Sequence, residues 1–441
     1  MHAIAINPRL TVQIKGIYCM LDFMVDKSIF LFKNRFTFIN RELKKYLFFL
    51  VKKNFKILFF CLTPLINLRY KDMYFGWLRS SRIGHFTADT DCALHQLSRN
   101  IINDRKIRIV LITDSFICNT FILELIRRIA IPNLNLVIKS GKIWRLYLDF
   151  LKNSRFFNHL YVDTAGLSSK YESIINAPPI FQVTKAERDL LRKWLIKNCN
   201  LNLNNPFIFL HNRDNAYLPS LKYHSVRDFS PEVFDPIIDK FKGHYNFFRG
   251  GKLANERIRE NTGCLDLPFI NQSDEINVLV QDLSLFYFGS DSGIHCLSTV
   301  FRKPVGIINF APTSYDYIRR KNHLVLGFIP KILINKKTNQ PVGLIEMYEN
   351  NWVNFWTAGE FYNANLEVRE NSKDEVLNYF EESLNMYHGN FTKSEINTAE
   401  QEEFWKIVTH YQPDSFGKKL ILDNCFISPS FLRKNTFLFT S

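Results

Sequence analysis

None of the eight cysteines, at positions 19, 61, 92, 118, 199, 264, 296 and 425, forms a CxxC pair or a spacing short enough for a zinc site. A structural zinc and a disulfide framework are therefore not expected, and neither is any other metal. Several of these thiols lie inside apolar runs, so reduced, buried cysteines of a cytoplasmic protein are the expectation. The opening MHAIAINPRL lacks the charged, apolar, small-residue order of a secretory signal. There is no internal repeat, coiled-coil heptad or low-complexity tract. In the greasiest stretch, Lys44 to Arg69, the longest charge-free run is Ile57 to Leu68. Its twelve residues fall short of the roughly 18 to 20 that span a bilayer.

What is present is a basic chain of 441 residues, 46% hydrophobic and 22% charged, with a net charge of +15. That balance belongs to folded proteins, and the length exceeds one compact core, so two domains and a tail are expected. The charge is uneven. Residues 1 to 75 hold thirteen Lys/Arg against four Asp/Glu, more than half of the excess. A nucleic-acid arm would be polar and interleaved with small residues, so no nucleic acid is expected. This segment is apolar instead. At about 100° per residue, Arg41, Lys45, Lys52 and Lys56 fall in one stripe of a helix, although Phe49 and Phe59 intrude on it. A helix lying in an anionic membrane surface over residues 41–68 follows, peripheral on the inner face of the cytoplasmic membrane. The other reading is a helix packed on the protein's own core with a basic outer face.

From residue 72 the pattern alternates. Strands are predicted at 72–78, 107–113, 135–139 and 160–163, with helices at 92–100, 119–130 and 142–152. A linker helix follows over 181–205, its start marked by Thr184 and Glu187 at capping-box spacing. A second series has strands at 207–210, 245–249, 264–267, 284–288 and 305–310 and helices at 231–241 and 274–281. Helices return at 375–386 and 400–411. Two βαβ series imply two Rossmann-like domains around parallel sheets.

Three loops of the second series follow strands. Leu285 to Ala311, LFYFGSDSGIHCLSTVFRKPVGIINFA, reads as strand, turn, helix and strand. Backbone N–H groups of Ser292 and Gly293 at such a turn form an anion cradle for a diphosphate, with Ser290 beside them and Asp291 accepting from sugar hydroxyls. The alternative is that Asp291 or Ser292 only caps the helix, and His295 is either a packed residue or a ligand. In LHNRDNAY, His211 and Arg213 stand at a strand end, and Arg213 offers a planar fork matched to phosphate. Tyr217, Tyr223, His224 and Arg227 follow in a loop. In RGGK, Arg249, Gly250, Gly251 and Lys252 combine charge with exposed N–H groups. In the first series, SRIGHFTADTD places His85 beside Gly84, a histidine able to act as general base, while Asp89 or Asp91 can orient it or act as base instead.

The SRIGH loop, the LHNRDNAY and YHSVRDF pair, NFFRGGK and YFGSDSGIHCLSTVFRKPV together resemble a GT-B-type glycosyltransferase family of bacterial surface-polysaccharide loci, itself distantly similar to lipopolysaccharide heptosyltransferases. The likeness covers roughly residues 55 to 345, and PSFLRKNTFLF is similar to that family's ending. Asp291, Ser292 and Gly293 match the heptosyltransferase donor motif, but one residue, Ile294, precedes His295 where that motif has two. His85 takes the place of the heptosyltransferase aspartate base, and the H-x-R around Arg213 is similar to a fucosyltransferase donor motif. The resemblance implies inversion at the anomeric carbon without a metal.

The expected molecule is thus α/β, a GT-B arrangement of two facing Rossmann-like domains with an interdomain cleft. A basic hydrophobic helical region occupies 1–70, an acceptor domain 71–180, the linker 181–205, a nucleotide-sugar donor domain 206–345 and a helical tail 346–441. It is expected to move a sugar from a nucleotide sugar to a glycan or lipid-linked acceptor. Two alternatives stand beside this: a sugar-nucleotide 2-epimerase of the same fold, and a non-catalytic protein binding a membrane surface or nucleic acid.

Overall fold

The computed structural model describes residues 55–64, 72–99, 106–164, 177–199, 201–216, 225–260, 263–270, 273–312, 325–396, 398–412 and 426–439. Residues 41–54 of the expected surface helix lie outside these, as do Tyr217, Tyr223 and His224. The chain divides into two compact units. One comprises Met1–Arg82, Gln96–Cys118 and Arg127–Ala165, the other Ile83–His95, Asn119–Ile126 and Gly166–Ser441.

In the first unit a helix over 55–64 (α1) precedes β1 (Met73–Leu78). Then follow α2 (Thr90–Arg99), β2 (Ile107–Thr113), α3 (Thr120–Arg127), β3 (Leu134–Lys139), α4 (Lys142–Asn153) and β4 (Tyr161–Val162). The strands form one parallel sheet in the order β3-β2-β1-β4. Strand β2, IRIVLIT, is almost wholly buried, as a run of branched apolar residues covered on both faces should be. Helix α4 packs Ile143, Tyr147, Leu148 and Leu151 into that core, and the Tyr147 ring meets Phe75 edge-on at 5.0 Å.

The second unit opens, after the segment 83–95, with α5 (Lys185–Asn198), whose Thr184/Glu187 capping box is formed on both sides. Its sheet is built from β5 (Phe207–His211), β6 (Asn246–Arg249), β7 (Cys264–Asp266), β8 (Tyr287–Gly289), β9 (Val305–Phe310) and β10 (Val325–Pro330). Between them come α6 (Asp235–Phe241), α7 (Asp274–Leu283) and α8 (His295–Val300). The strands are all parallel, in the order β10-β9-β8-β5-β6-β7. The chain leaves β5 toward β6 and β7, then crosses back to place β8 on the other side of β5. Strand direction of growth reverses between β5 and β8, and the crevice at the carboxyl ends of such a pair is where open parallel sheets bind ligands.

The region beyond 345 is not a purely helical appendage. A third sheet, antiparallel, joins β11 (Ile332–Asn335), β12 (Gln340–Pro341) and β13 (Leu366–Arg369). Helix α9 (Lys373–Tyr387) covers the parallel sheet: Phe380 packs on Phe247, Phe286 and Phe288, while the Tyr379 hydroxyl accepts from Ile307 N at 3.1 Å and donates to Gly327 O. Short, separated apolar runs with no clear period hide these pairings from a local reading.

Candidate active site

The loop expected over 79–91 is helical in its second half. Residues His85–Asp89 form a wide π-type turn that continues directly into α2. The Thr87 and Thr90 hydroxyls donate to the carbonyls of Ile83 and Phe86 at 2.8 Å each, and Phe86 and Ala88 are buried beneath. Such turns recur at functional sites because they re-aim one side chain within a helix. Here the turn brings His85 and Asp89 onto one face. His85 Nδ1 donates to Asp89 Oδ2 at 2.8 Å, with Asp89 3% exposed and His85 35% exposed. With its Nδ1 proton held by an ionised carboxylate, the imidazole presents Nε2 as an acceptor.

Asp91 is placed otherwise. Fully buried, it accepts two bonds from Arg302, at 2.8 and 3.4 Å, and lies 3.4 Å from His95 Nε2. Arg302 also donates to the carbonyls of Ala177 and Pro178, so Asp91 and Arg302 tie α2 to the chain ahead of α5. No signal in the sequence singles out Arg302, which is 211 residues from its partner.

Three strand-end loops stand side by side, because β8, β5 and β6 are neighbours. After β8, the turn Ser290–Gly293 precedes α8. Ser290 Oγ and Ser292 Oγ are buried without a hydrogen-bond partner among the described residues, donors aimed into protein that offers them no acceptor. Asp291 lies 3.4 Å from His295 Nδ1, with both side chains nearly buried. His295 is therefore packed behind the turn, its Nε2 3.6 Å from Cys296 Sγ. The turn meets the π-type segment backbone to backbone: a methyl on Gly84 would stand 2.9 Å from Gly293 Cα, and one on Gly293 would stand 3.0 Å from Gly84 N. Only a glycine pair permits that approach.

After β5, Arg213 forms an ion pair with Asp228. Burial holds the Asp228 carboxyl above the usual range despite Arg213 beside it, and lowers Arg213 despite Asp228. Arg227 reaches the opposite way and donates to Asp291 O at 3.5 Å. Lys331, at the carboxyl end of β10, is buried and donates to Asp228 O at 2.6 Å; burial lowers it to about 8. A cation directly after an apolar strand is the signal that marked Arg213, and Lys331 after LGFIP carries it too.

After β6, Arg249 is 1% exposed and its guanidinium donates to Asn212 Oδ1, Glu256 O and Asp266 Oδ1 at 2.8, 2.8 and 2.9 Å. It braces the ends of β5, β6 and β7 from within. Lys252 Nζ lies 3.0 Å from Asp274 Oδ1, and Asp274 also accepts from Thr120 N at 2.8 Å. Gly251 has φ +144°, a backbone that side chains rarely allow.

His211 lies between the β5 and β6 loops. Its Nδ1 donates to Gly250 O at 2.8 Å, and burial lowers its pKa to about 4, with Arg249 adding to the shift. The ring is neutral at pH 7 and brings no positive charge to a phosphate; Nε2 is an acceptor. Because the unfolded histidine protonates near 6.5, the folded state loses stability as pH falls from 6.5 toward 4. We expect a cost of about 2 kcal/mol between pH 7 and pH 5, and the variant His211→Gln should flatten that part of the melting-temperature profile. An unchanged profile in the variant would assign the acid sensitivity elsewhere.

Among the described residues no group of three or more His, Cys, Asp and Glu stands where it could hold a metal ion. No described helix is long and apolar enough to cross a membrane.

No family model matches the sequence, and no curated protein does. Among solved structures, the chain is similar to the ADP-heptose lipopolysaccharide heptosyltransferase II of E. coli, with 13% identity and a TM-score of 0.39 over 58% of this chain and 90% of that one. It is also similar to a family 9 glycosyl transferase of Veillonella parvula, with 10% identity and a TM-score of 0.41 over 71% and 97%. The E. coli heptosyltransferase WaaC with ADP-2-deoxy-2-fluoro heptose has 13% identity and a TM-score of 0.28 over 55% and 90%. These likenesses are distant, and all three neighbours are glycosyltransferases.

Proposed function

We propose that the chain is a glycosyltransferase that moves a sugar from a nucleoside-diphosphate donor to a hydroxyl of a glycan or lipid-linked acceptor. The observation that carries this reading is the packing of Gly84 on Gly293. It sets an accessible histidine, backed by a buried aspartate, beside a strand-end turn suited to an anion. A base next to an anion cradle is what displacement of a nucleoside diphosphate from a sugar requires.

In the proposed step, His85 Nε2 takes the proton of the acceptor hydroxyl while Asp89 stabilises the imidazolium. The acceptor oxygen bonds to the anomeric carbon as the bond from that carbon to the phosphate oxygen breaks. The electron pair leaves with the nucleoside diphosphate, whose charge is met by Arg213, Arg227, the amides of Ser292 and Gly293 and the Ser290 and Ser292 hydroxyls. Asp228 fixes the direction of the Arg213 fork. Asp91 and Arg249 serve by holding the two segments in place, and Lys252 stands at the rim. Inversion and independence of a metal accompany the family resemblance.

The experiment is a thermal-shift screen against ADP-, UDP-, GDP- and CMP-sugars, because a ligand that binds only the folded state raises the melting temperature by mass action. One of them should stabilise the protein, and Arg213→Lys, which keeps a counter-charge for Asp228 but loses the fork, should lower turnover by between about tenfold and a hundredfold. Failure of every nucleotide sugar to shift the melt defeats the proposal. Epimerised nucleotide sugar formed without acceptor favours the 2-epimerase reading instead.

A further inference from the structure

Helix α1 is anchored to its own unit on one side only. Phe59 is buried, with its ring 5.1 Å from Tyr147 and 5.8 Å from Phe150, and Thr63 lies 3.2 Å from the Tyr147 hydroxyl. Phe59, the residue that interrupts the basic stripe in sequence, is thus the one that turns inward. The outward face shows Ile57 at 57% and Phe60 at 49% exposure. Phe156, from the turn after α4, is 70% exposed and meets Phe60 at 6.0 Å in an edge-on contact. Phe157 touches Phe60 from the other side at 5.6 Å. Two segments about a hundred residues apart in the chain therefore build one continuous apolar surface that faces water.

The rim of that surface is basic. Lys56, Lys152 and Arg155 are exposed around it, and neither 55–64 nor 150–160 contains an acidic residue. An isolated exposed phenylalanine needs no explanation; two in ring contact, beside an isoleucine and ringed by cations without a single carboxylate, do. A partner with negative charge at its surface and a shallow apolar layer beneath satisfies both features together.

We infer that Ile57, Phe60 and Phe156 form a membrane-docking tip that inserts into the interface of an anionic bilayer, with Lys56, Lys152 and Arg155 seated on lipid phosphates. Docking by this tip does not depend on nucleotide sugar, so it stands or falls apart from the proposed reaction. It also holds the protein at a surface where lipid-linked acceptors are presented.

The test uses the full chain and sedimentation with vesicles of phosphatidylglycerol and phosphatidylcholine in equal parts. The intact protein should pellet with them, and the double variant Phe60→Asp, Phe156→Asp should bind about tenfold more weakly or worse. The pair Lys152→Glu, Arg155→Glu should lose most of the salt-sensitive binding, and vesicles of phosphatidylcholine alone should bind weakly. All four substitutions are at exposed positions, so melting temperatures and any nucleotide-sugar shift should be retained, which separates loss of docking from loss of fold. Vesicle binding undiminished in the Phe60→Asp, Phe156→Asp variant overturns the inference. So does an intact chain that ignores anionic vesicles, or a variant that changes from dimer to monomer while its vesicle binding persists.

Discussion

Replacing His85 by alanine is expected to lower the turnover number by about a thousandfold while leaving donor affinity within about a factor of two. The reason lies in what each group touches. Asp89 holds Nδ1 at 2.8 Å, which leaves Nε2 as the acceptor at an exposed edge, whereas the donor cradle is made of other residues. Removing a positioned base raises the barrier by about 4 kcal/mol at 1.36 kcal/mol per decade, and that loss is confined to the reacting complex. Asp89→Asn keeps the shape but cannot stabilise the imidazolium, so it should fall between the intact enzyme and His85→Ala. Steady-state kinetics with a donor-binding measurement decide the matter. A parallel loss of donor affinity in His85→Ala would make this residue part of the binding site and leave the reaction without its base.

The second large effect concerns a glycine at the heart of the site. Gly289 ends β8, opposite His211 at the end of β5, and a methyl there would stand 2.0 Å from His211 O. The obstruction is backbone in a paired strand, which no rotamer change relieves. Gly289→Ala should therefore force β5 and β8 apart where Ser290 N donates to His211 O, at a cost of about 3 kcal/mol or more. In a unit of this size that corresponds to a fall in melting temperature of roughly 10 °C, with nucleotide-sugar stabilisation lost as well. A variant that melts like the intact protein would show that the two strand ends approach less closely than the structure has them.

Both effects trace to residues whose surroundings differ in how far they can be read from the chain. The alternation of apolar strands and amphipathic helices is local, so β1, β2, β5, β6 and β9 fall close to their predicted positions. So does the capping box at Thr184. Strand-end position likewise picks out His211, Arg213 and the Ser290–Gly293 turn, because a parallel sheet delivers its strand ends to one edge. The helical state of His85–Asp89 was hidden for a physical reason. Thr87 and Thr90 favour loops and caps by propensity, and only the burial of Phe86 and Ala88 makes a helix there the better arrangement.

The partners of charged groups were hidden more deeply. Arg249 looks like a phosphate ligand in RGGK until Asn212, Glu256 and Asp266 are seen around it, and Asp91 looks like a base until Arg302 arrives. His85 and Asp91 follow β1 in sequence, yet the segment Ile83–His95 belongs to the second compact unit. Periodicity and strand-end chemistry, which are written in neighbouring residues, determine the α/β class, the parallel sheets and the loops that can meet an anion. Which of those loops carries a free acid, base or cation is decided only in the folded chain. A buried charge must be neutralised by whichever group folding brings within hydrogen-bond reach, and here that group lies as far as 211 residues away.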